Sequence, residues 1–299
     1  MKKFLAAVAL LFMVTTSADA AIYRQGIIYV IYDESGERSL TNKTDANSNG
    51  VPDVVEDIAT QVNAAREVFN DLFDYPDPLQ SARFKNVTSI EIDIDARDAM
   101  NKFNGLAFST VRKKSAHDPN ARALHFKVAN TINPHTSSTP AHEYFHLIQY
   151  GATYFRNAWY LEGMARWSQD SVAKINYPDG ADIHFKLKSK SAKEKIFNGK
   201  YEMADFLWYP LAVNMRDKVT LPAELVAKYK YVDGAPVFQD NIIFGAHVML
   251  KVLHALKVKE NLAAEKFGGV KEWRKTGQRA EVNNEIILDC VKEVYHGKL

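Results

Sequence analysis

Cysteine is nearly absent from this chain: Cys290 is the single one among 299 residues. A lone cysteine excludes an internal disulfide, so an exported form of the protein would depend on packing alone for its stability. Cys290 shares an apolar helical face with Ile287 and Val291, which predicts a buried thiol that acts as a small hydrophobic group.

Neither sign of charge is in large excess, because the sequence has 38 Lys and Arg residues and 36 Asp and Glu residues, for a formal net charge of +2. This balance gives no compositional support for nucleic-acid binding. The sequence has no Gly-rich phosphate loop, internal repeat or low-complexity linker. Its apolar and charged fractions of 46% and 25% are those of a soluble globular protein. The length suits one large domain or two small ones.

Long apolar runs are missing except near the start, where residues 4–14 follow the basic pair Lys2 and Lys3. The run leads to Ala18-Asp19-Ala20, which places small residues at the positions that signal peptidase requires. We therefore predict a signal peptide over residues 1–20, cleavage before Ala21, and an exported protein, either periplasmic or secreted. The alternative is a membrane anchor, for which the run is too short.

The most informative segment contains the motif His142-Glu143-x-x-His146. Positions four apart lie on the same face of a helix, so the two histidines can offer their imidazoles to one metal ion. In zinc enzymes with this spacing the glutamate acts as the general base. Thr139 and Pro140 form a suitable helix start, and Gly151 a suitable end. The alternative is a buried amphipathic helix in which the two histidines occur by chance.

A catalytic zinc site of this kind needs a third protein ligand. Gln149 and Ala152 stand where the metzincin motif requires Gly and His, which excludes that class. Glu162 begins a second helical pattern that can return across the first helix, and the adjacent Gly163 permits close backbone approach. The rival ligand is His184, which lies in a polar stretch without a clear helical pattern.

The first motif followed by Trp159-x-x-Glu162-Gly163-x-Ala165-x-Trp167 resembles the gluzincin zinc peptidases, the thermolysin-like MA-type group, and within it secreted bacterial metalloproteases. The similarity covers roughly residues 139–171. It implies a zincin-like fold with zinc in a cleft between two lobes. It also implies that the zinc ligands are His142, His146 and Glu162, and that Glu143 is the base.

Two positions depart from this resemblance. Arg166 stands where the thermolysin pattern has Asp, and Gln169 stands where many relatives carry an acidic residue. Asp170 is therefore our candidate for the side chain that orients a metal-binding histidine. Gluzincins usually also have a Tyr or His that hydrogen-bonds the oxyanion. The candidates for that role are Tyr209, His184, His247 and His254.

Residues 45–56 match the calcium-loop pattern D-x-[DN]-x-[DN]-G-x5-E. The candidate calcium ligands are Asp45, Asn47, Asn49, the carbonyl of Val51, Asp53 and Glu56. No helix is predicted before the loop, so this would be a strand–loop–helix variant. The alternative is an Asx-rich turn in which Asp53 caps the following helix and Glu56 completes a capping box.

Hydrophobic periodicity predicts an α+β fold. Strands are expected at residues 27–32, 90–94, 106–111 and 124–128, and helices at 54–73, 203–214, 222–230, 241–257 and 281–295. Ile90, Ile92 and Ile94 alternate with acidic residues, which indicates a half-buried strand. We expect an N-terminal lobe over about 21–151 with a mixed or antiparallel sheet, then a mainly helical lobe over about 152–299. The strand over residues 123–129 is either a substrate-binding edge strand or an ordinary interior strand.

The resulting hypothesis is an exported zinc metallopeptidase acting on a protein or peptide substrate, with Zn²⁺ and a candidate Ca²⁺ as metal ions. One alternative is a metal-binding or substrate-binding relative without peptidase activity, although binding alone would not require the carboxylate of Glu143. The other is a calcium-dependent adhesion protein of the cell envelope, which is indicated by the loop at Asp45 and by the six lysines within residues 185–200.

Overall fold

The computed structural model describes residues 20–173, 183–266, 273 and 275–297 of the chain. The predicted signal peptide lies outside the described residues, apart from Ala20. The protein is α+β, as predicted, with a five-stranded mixed sheet and a separate two-stranded sheet. The strands are β1 Ala21–Gln25, β2 Ile28–Tyr32, β3 Ser89–Asp95, β4 Gly105–Ala107, β5 Ala123–Ala129, β6 Lys218–Thr220 and β7 Ile242–Phe244.

The helices of the described residues are α1 Asp53–Arg66, α2 Thr139–Ala152, α3 Ala158–Ala173, α4 Ile183–Lys188, α5 Lys190–Asn198, α6 Tyr209–Asn214, α7 Ala223–Lys228, α8 Ala246–Lys266, α9 Lys275–Gln278 and α10 Val282–Tyr295. Short π-helical segments follow α1 and precede α6, at Glu67–Leu72 and Ala204–Trp208. Within the part of the chain that the structure describes, no helix has the length and apolar character needed to cross a membrane.

The large sheet has the strand order β1-β2-β3-β5-β4. Strands β2, β3 and β5 are parallel to one another, and β1 and β4 lie antiparallel at the two edges. Of the two interpretations of residues 123–129, the interior strand is therefore correct, because β5 is paired on both sides. The edge strand beside the metal-motif helix is β4, which is only three residues long.

The apolar face of this sheet forms the core beneath α1 and α2. Ile90, Ile92 and Ile94 of β3 are fully buried, and so are their partners on β5, Leu124, Phe126 and Val128. Both α1 and α2 contact the sheet. Side chains alternate between the two faces of a strand, so the isoleucine alternation identifies the face that packs against helices.

The prediction that β3 is half-buried is wrong, because all seven residues of this strand are buried, including those on the face opposite the isoleucines. Glu91 is fully buried, and its carboxylate accepts hydrogen bonds from Arg112 Nη1 at 2.7 Å and from Ser115 Oγ. Burial alone would raise the pKa of Glu91, but these contacts hold that pKa below its ordinary value. A polar loop with its own counter-charges covers the acidic face, so alternation of residue types did not indicate exposure here.

The predicted helix over residues 241–257 is wrong at its start. Residues 242–244 form β7, which pairs antiparallel with β6, and α8 begins only at Ala246. Gly245 between them has φ +90°, a conformation that glycine adopts without strain. The carbonyl of Phe244 accepts a hydrogen bond from Trp167 Nε1 at 2.8 Å, so β7 also fixes the position of α3.

Candidate metal centre

Helices α2 and α3 bring three potential metal ligands to one point. The Oε2 atom of Glu162 lies 3.4 Å from His142 Nε2 and 3.5 Å from His146 Nε2. The three donor atoms all lie within 4.8 Å of one another. Tetrahedral donors at the usual zinc distances stand roughly 3.4 Å apart. The donor set and its spacing therefore fit a zinc ion held by two imidazoles and one carboxylate.

Packing of α3 against its neighbours explains why Glu162 faces α2. Trp159 stacks on Trp208 with ring centroids 5.9 Å apart, and Trp167 meets Phe145 of α2 at 5.9 Å. Gly163 lies so close to the segment before α6 that an added Cβ would stand 2.6 Å from Met203 Cβ. The Trp, Gly and Trp of the second motif therefore anchor the helix, and Glu162 is directed toward the histidines.

A neutral glutamine orients one of the two histidines. Gln149 is fully buried, and its Oε1 atom lies 2.8 Å from His146 Nδ1. Its amide Nε2 donates to the carbonyl of Leu161 at 3.2 Å, which fixes Oε1 as the acceptor. His146 then carries its proton on Nδ1 and leaves Nε2 free for a metal. The sequence analysis treated Gln149 only as a departure from the metzincin motif and missed this role.

The surroundings of His142 differ from those of His146. Its Nδ1 atom is buried without a hydrogen bond of normal geometry, although Gln169 lies close enough to act on the pKa of the ring. Burial lowers the pKa of His142 below its ordinary value, which favours the neutral imidazole that binds metals. Asp170, the predicted orienting residue, is buried at the same cavity and accepts a hydrogen bond from Arg166 Nε at 3.2 Å.

The charge of Glu162 balances this pair of imidazoles. Burial alone would raise the pKa of Glu162, but its contacts with His142 and His146 hold that pKa well below the ordinary range. The pKa of His146 is raised, since the Glu162 carboxylate outweighs the effect of burial. Without a metal ion, the negative charge of Glu162 is therefore balanced by the two imidazoles, and a metal cation bound between the three side chains would take over that role.

Glu143 lies beside the cluster and against the edge strand β4. Glu143 is only 5% exposed, and burial raises the pKa of its carboxyl to about 7. The backbone of Ala107 hydrogen-bonds this carboxyl. Gly105 approaches so closely that an added Cβ would stand 2.3 Å from Glu143 Oε1 and 2.6 Å from a methyl carbon of Thr139. A side chain at position 105 would therefore displace Glu143 or Thr139, a constraint that the sequence analysis did not identify.

A cavity of about 670 Å³, which we call the metal cavity, opens onto these residues. Residues of both halves of the chain line it, among them Gly105, His142, Glu143, Asp170 and Tyr201. The rings of Tyr201 and His142 have centroids 5.9 Å apart. Burial, together with the charges of Glu162 and Glu143, raises the pKa of Tyr201 to about 12, so its hydroxyl is a hydrogen-bond donor at neutral pH.

The four residues predicted to stabilise an oxyanion lie elsewhere among the described residues. Tyr209 is 1% exposed, and its hydroxyl donates to the carbonyl of Trp167 at 3.3 Å. His184 is exposed on α4, His247 bonds Asp217 through Nδ1 at 2.9 Å, and His254 lines a different cavity. Tyr201 is the tyrosine at the metal cavity, and no short motif marks it in the sequence.

Residues 45–56 form a closed loop that leads into α1. Asp45 accepts hydrogen bonds from the backbone amides of Asn49 and Gly50, at 3.1 and 2.8 Å. Glu56 accepts from the side-chain amides of Asn47 and Asn49, at 2.9 and 3.0 Å. Asp53 is the first residue of α1, and its carboxylate accepts from the backbone of Ala46 at 3.0 Å. The predicted calcium ligands Asp45, Asn47, Asn49 and Glu56 are thus linked by direct hydrogen bonds, while Val51 donates its amide to Asn49 Oδ1 at 2.8 Å.

Comparisons with known proteins add no assignment to this geometry. No protein-family model matches the chain, and no curated protein matches it.

Proposed function

We propose that this protein is a zinc-dependent peptidase of the gluzincin type with a zincin-like fold. The observation that carries this proposal is the convergence of two imidazoles and a carboxylate at zinc-ligand spacing, beside the buried carboxyl of Glu143. His142, His146 and Glu162 would hold the ion. Bound zinc lowers the pKa of water and polarises a carbonyl group. The signal peptide predicted for residues 1–20 is in keeping with a peptidase that acts outside the cytoplasm.

The chain's own residues divide the chemistry between them. Glu143 takes up the proton of the attacking water and delivers it to the nitrogen of the leaving amine, so the proton is conserved through the cycle. Its buried position beside the Ala107 amide keeps the carboxyl near the reacting atoms. The hydroxyl of Tyr201 donates a hydrogen bond to the carbonyl oxygen as negative charge develops there.

The open edge of β4 supports binding of an extended peptide. Asn104 accepts a hydrogen bond from Ala129, and Phe108 donates one to His125, so alternate residues of this segment bond to β5. The backbone groups of Gly105 and the carbonyl of Ala107 therefore face the open side, while the Ala107 amide already hydrogen-bonds Glu143. A substrate strand added there would pass directly over Glu143.

Zinc content and hydrolysis, measured together, test the proposal. We expect wild-type protein to bind about one zinc ion and to cleave casein or a peptide library. Glu143→Gln preserves size but cannot accept a proton, so we expect full zinc content and a loss of turnover of at least about a hundredfold. Near wild-type turnover in Glu143→Gln would reject the mechanism. Zinc binding without cleavage by the wild-type protein would leave the non-catalytic alternative.

A further inference from the structure

A second cavity, of about 620 Å³, lies beyond the metal cavity at the other end of β4. Ala107 and Tyr150 connect the two. Ala107 lines this second cavity and bonds Glu143, while the ring of Tyr150 stacks on His146 with centroids 5.7 Å apart. A peptide that follows β4 across Glu143 therefore enters this second cavity, which we call the arginine cavity.

Among the described residues, the lining of the arginine cavity carries two positive charges and no carboxylate. The charges belong to Arg156 and Arg279, and the hydroxyls of Ser109, Thr110 and Thr276 accompany them. Arg279 is exposed, so its guanidinium is accessible from solvent, and it has no ion-pair partner in the described part of the chain. The chemistry of this lining suits an anion.

Arg156 is the unusual member of this pair, because it is only 5% exposed. Its Nη1 atom donates to the carbonyls of Thr153 and Phe155, both at 2.7 Å, while its Nε and Nη2 atoms are buried without partners. Its guanidinium lies over the ring of Tyr150, 4.3 Å from the centroid. A buried cation with unused donors is costly unless an anion compensates it.

Glu260 is the carboxylate that acts electrostatically on Arg156, but it does not pair with the unused donors of Arg156. Glu260 acts on Arg156 only through space, because its oxygens accept from the Tyr154 amide and from Lys257 Nζ, each at 2.9 Å. Burial, with a further contribution from Arg83, lowers the pKa of Arg156 to about 9. The positive charge beneath the arginine cavity is therefore under-compensated within the described residues.

We propose that the arginine cavity is a substrate subsite for a carboxylate group, with Arg279 as its direct partner and Arg156 as the buried positive charge beneath it. This subsite rests on the proposed peptidase function, since β4 is what delivers the substrate to it. The carboxylate is supplied either by an Asp or Glu side chain or by the C-terminus of the substrate. The protein then prefers acidic peptides over neutral ones of the same shape.

The test uses one peptide series with Glu, Gln or Lys at each position around the cleaved bond, each made with a free and an amidated C-terminus. Cleavage is measured with wild-type protein, Arg279→Gln, Arg279→Glu and the control Arg24→Gln. Arg24 is an exposed arginine on β1, the strand at the opposite edge of the sheet. Binding is measured separately, by fluorescence anisotropy, with each arginine variant combined with Glu143→Gln.

We expect wild-type kcat/KM to favour Glu over Gln by about tenfold at one position, as a charge-assisted hydrogen bond provides. Arg279→Gln should abolish this preference, Arg279→Glu should shift it toward Lys, and Arg24→Gln should retain it. If Glu and Gln peptides are cleaved equally but amidation of the C-terminus lowers kcat/KM in wild type and not in Arg279→Gln, the bound carboxylate is the terminal one. Arg156→Gln should weaken the preference provided that its melting temperature shows a folded protein.

The subsite and the peptidase function fail in different ways. A wild-type protein that cleaves Glu and Gln peptides equally and free and amidated peptides equally, or an Arg279→Gln variant that keeps the wild-type preference, overturns the subsite alone. Absence of cleavage, together with Arg279-dependent binding of the acidic peptides, overturns the peptidase function and supports the carboxylate site.

Discussion

The carboxylate of Glu162 is the potential metal ligand that α3 contributes to the candidate metal centre. It contacts both histidines of α2 from α3, whereas His184 is exposed on α4. We expect Glu162→Ala to lose most bound zinc and His184→Ala to retain it, because two imidazoles alone leave the ion under-coordinated. Metal analysis of both purified variants measures this. Full occupancy in Glu162→Ala with loss in His184→Ala would reject the gluzincin assignment.

Gly105 offers a test of how Glu143 is positioned. A methyl group at this position would stand 2.3 Å from Glu143 Oε1, so the carboxyl must shift in Gly105→Ala. A displacement of about 1 Å can reduce turnover about a hundredfold, and we expect a loss of about tenfold to a hundredfold with zinc content unchanged.

Leu106→Ala is the matched control for Gly105→Ala. Leu106 is the neighbouring residue on β4, is 42% exposed and has a side chain on the opposite face of the strand. It should therefore leave the position of Glu143 unchanged. Equal turnover in Gly105→Ala and wild type would show that this close approach does not constrain the base.

These residues also mark what sequence alone could predict at the site. His142, Glu143 and His146 share one helical turn, so their spacing predicts their relationship directly. Gln149, Gly105 and Tyr201 reach the site through tertiary contacts, and their residue types occur widely outside such sites. The four predicted oxyanion residues do not line the metal cavity, because residue type alone does not indicate which side chains the fold brings close to the metal ligands.

Among the helices and strands, some features could be predicted from the sequence and others could not. Long periodic segments such as α1, α2 and α10 were predicted, because 3.6-residue periodicity is set by one buried face. The neighbours of a strand are set by distant segments, so neither the interior position of β5 nor the edge position of β4 could be derived from their own residues. The short β7 was predicted as helix because three apolar residues fit either period.

The loop before α1 is an element whose metal binding can be tested by stability. Calcium would replace the two amide donors on Glu56, and extracellular loops of this kind bind with Kd of roughly 10⁻⁴–10⁻³ M. At about 100 times Kd the folded state gains about 2.7 kcal/mol. We expect calcium to raise the melting temperature of wild-type protein and not of Asp45→Asn, as measured by differential scanning calorimetry.

Asp45→Asn keeps the size of the side chain and an acceptor for the Gly50 amide, so the comparison concerns the calcium-dependent shift of each protein and not its absolute stability. An equal response of the two proteins, or no response in either, would leave the hydrogen-bonded turn as the complete account of residues 45–56.

At the scale of the whole molecule, the metal centre links the sheet half of the chain to the helical half. The two histidines lie on α2, which contacts β4 and β5, and Glu162 lies on α3, which contacts α5 and β7. An ion bound by both helices would stabilise the folded chain as a unit, because the unfolded chain does not hold the three ligands together.

Removal of zinc should therefore lower the melting temperature of the entire protein in a single transition. At about 1,000 times Kd, zinc contributes about 4.1 kcal/mol, which for a chain of this size corresponds to a shift of about 7 °C. Calorimetry with and without zinc, at constant calcium, measures it. Glu143→Gln should show the full shift, since Glu143 binds no metal in our proposal, and His142→Ala should show almost none. Equal melting temperatures of zinc-loaded and zinc-free wild-type protein would mean that the cluster does not bind zinc to the folded state.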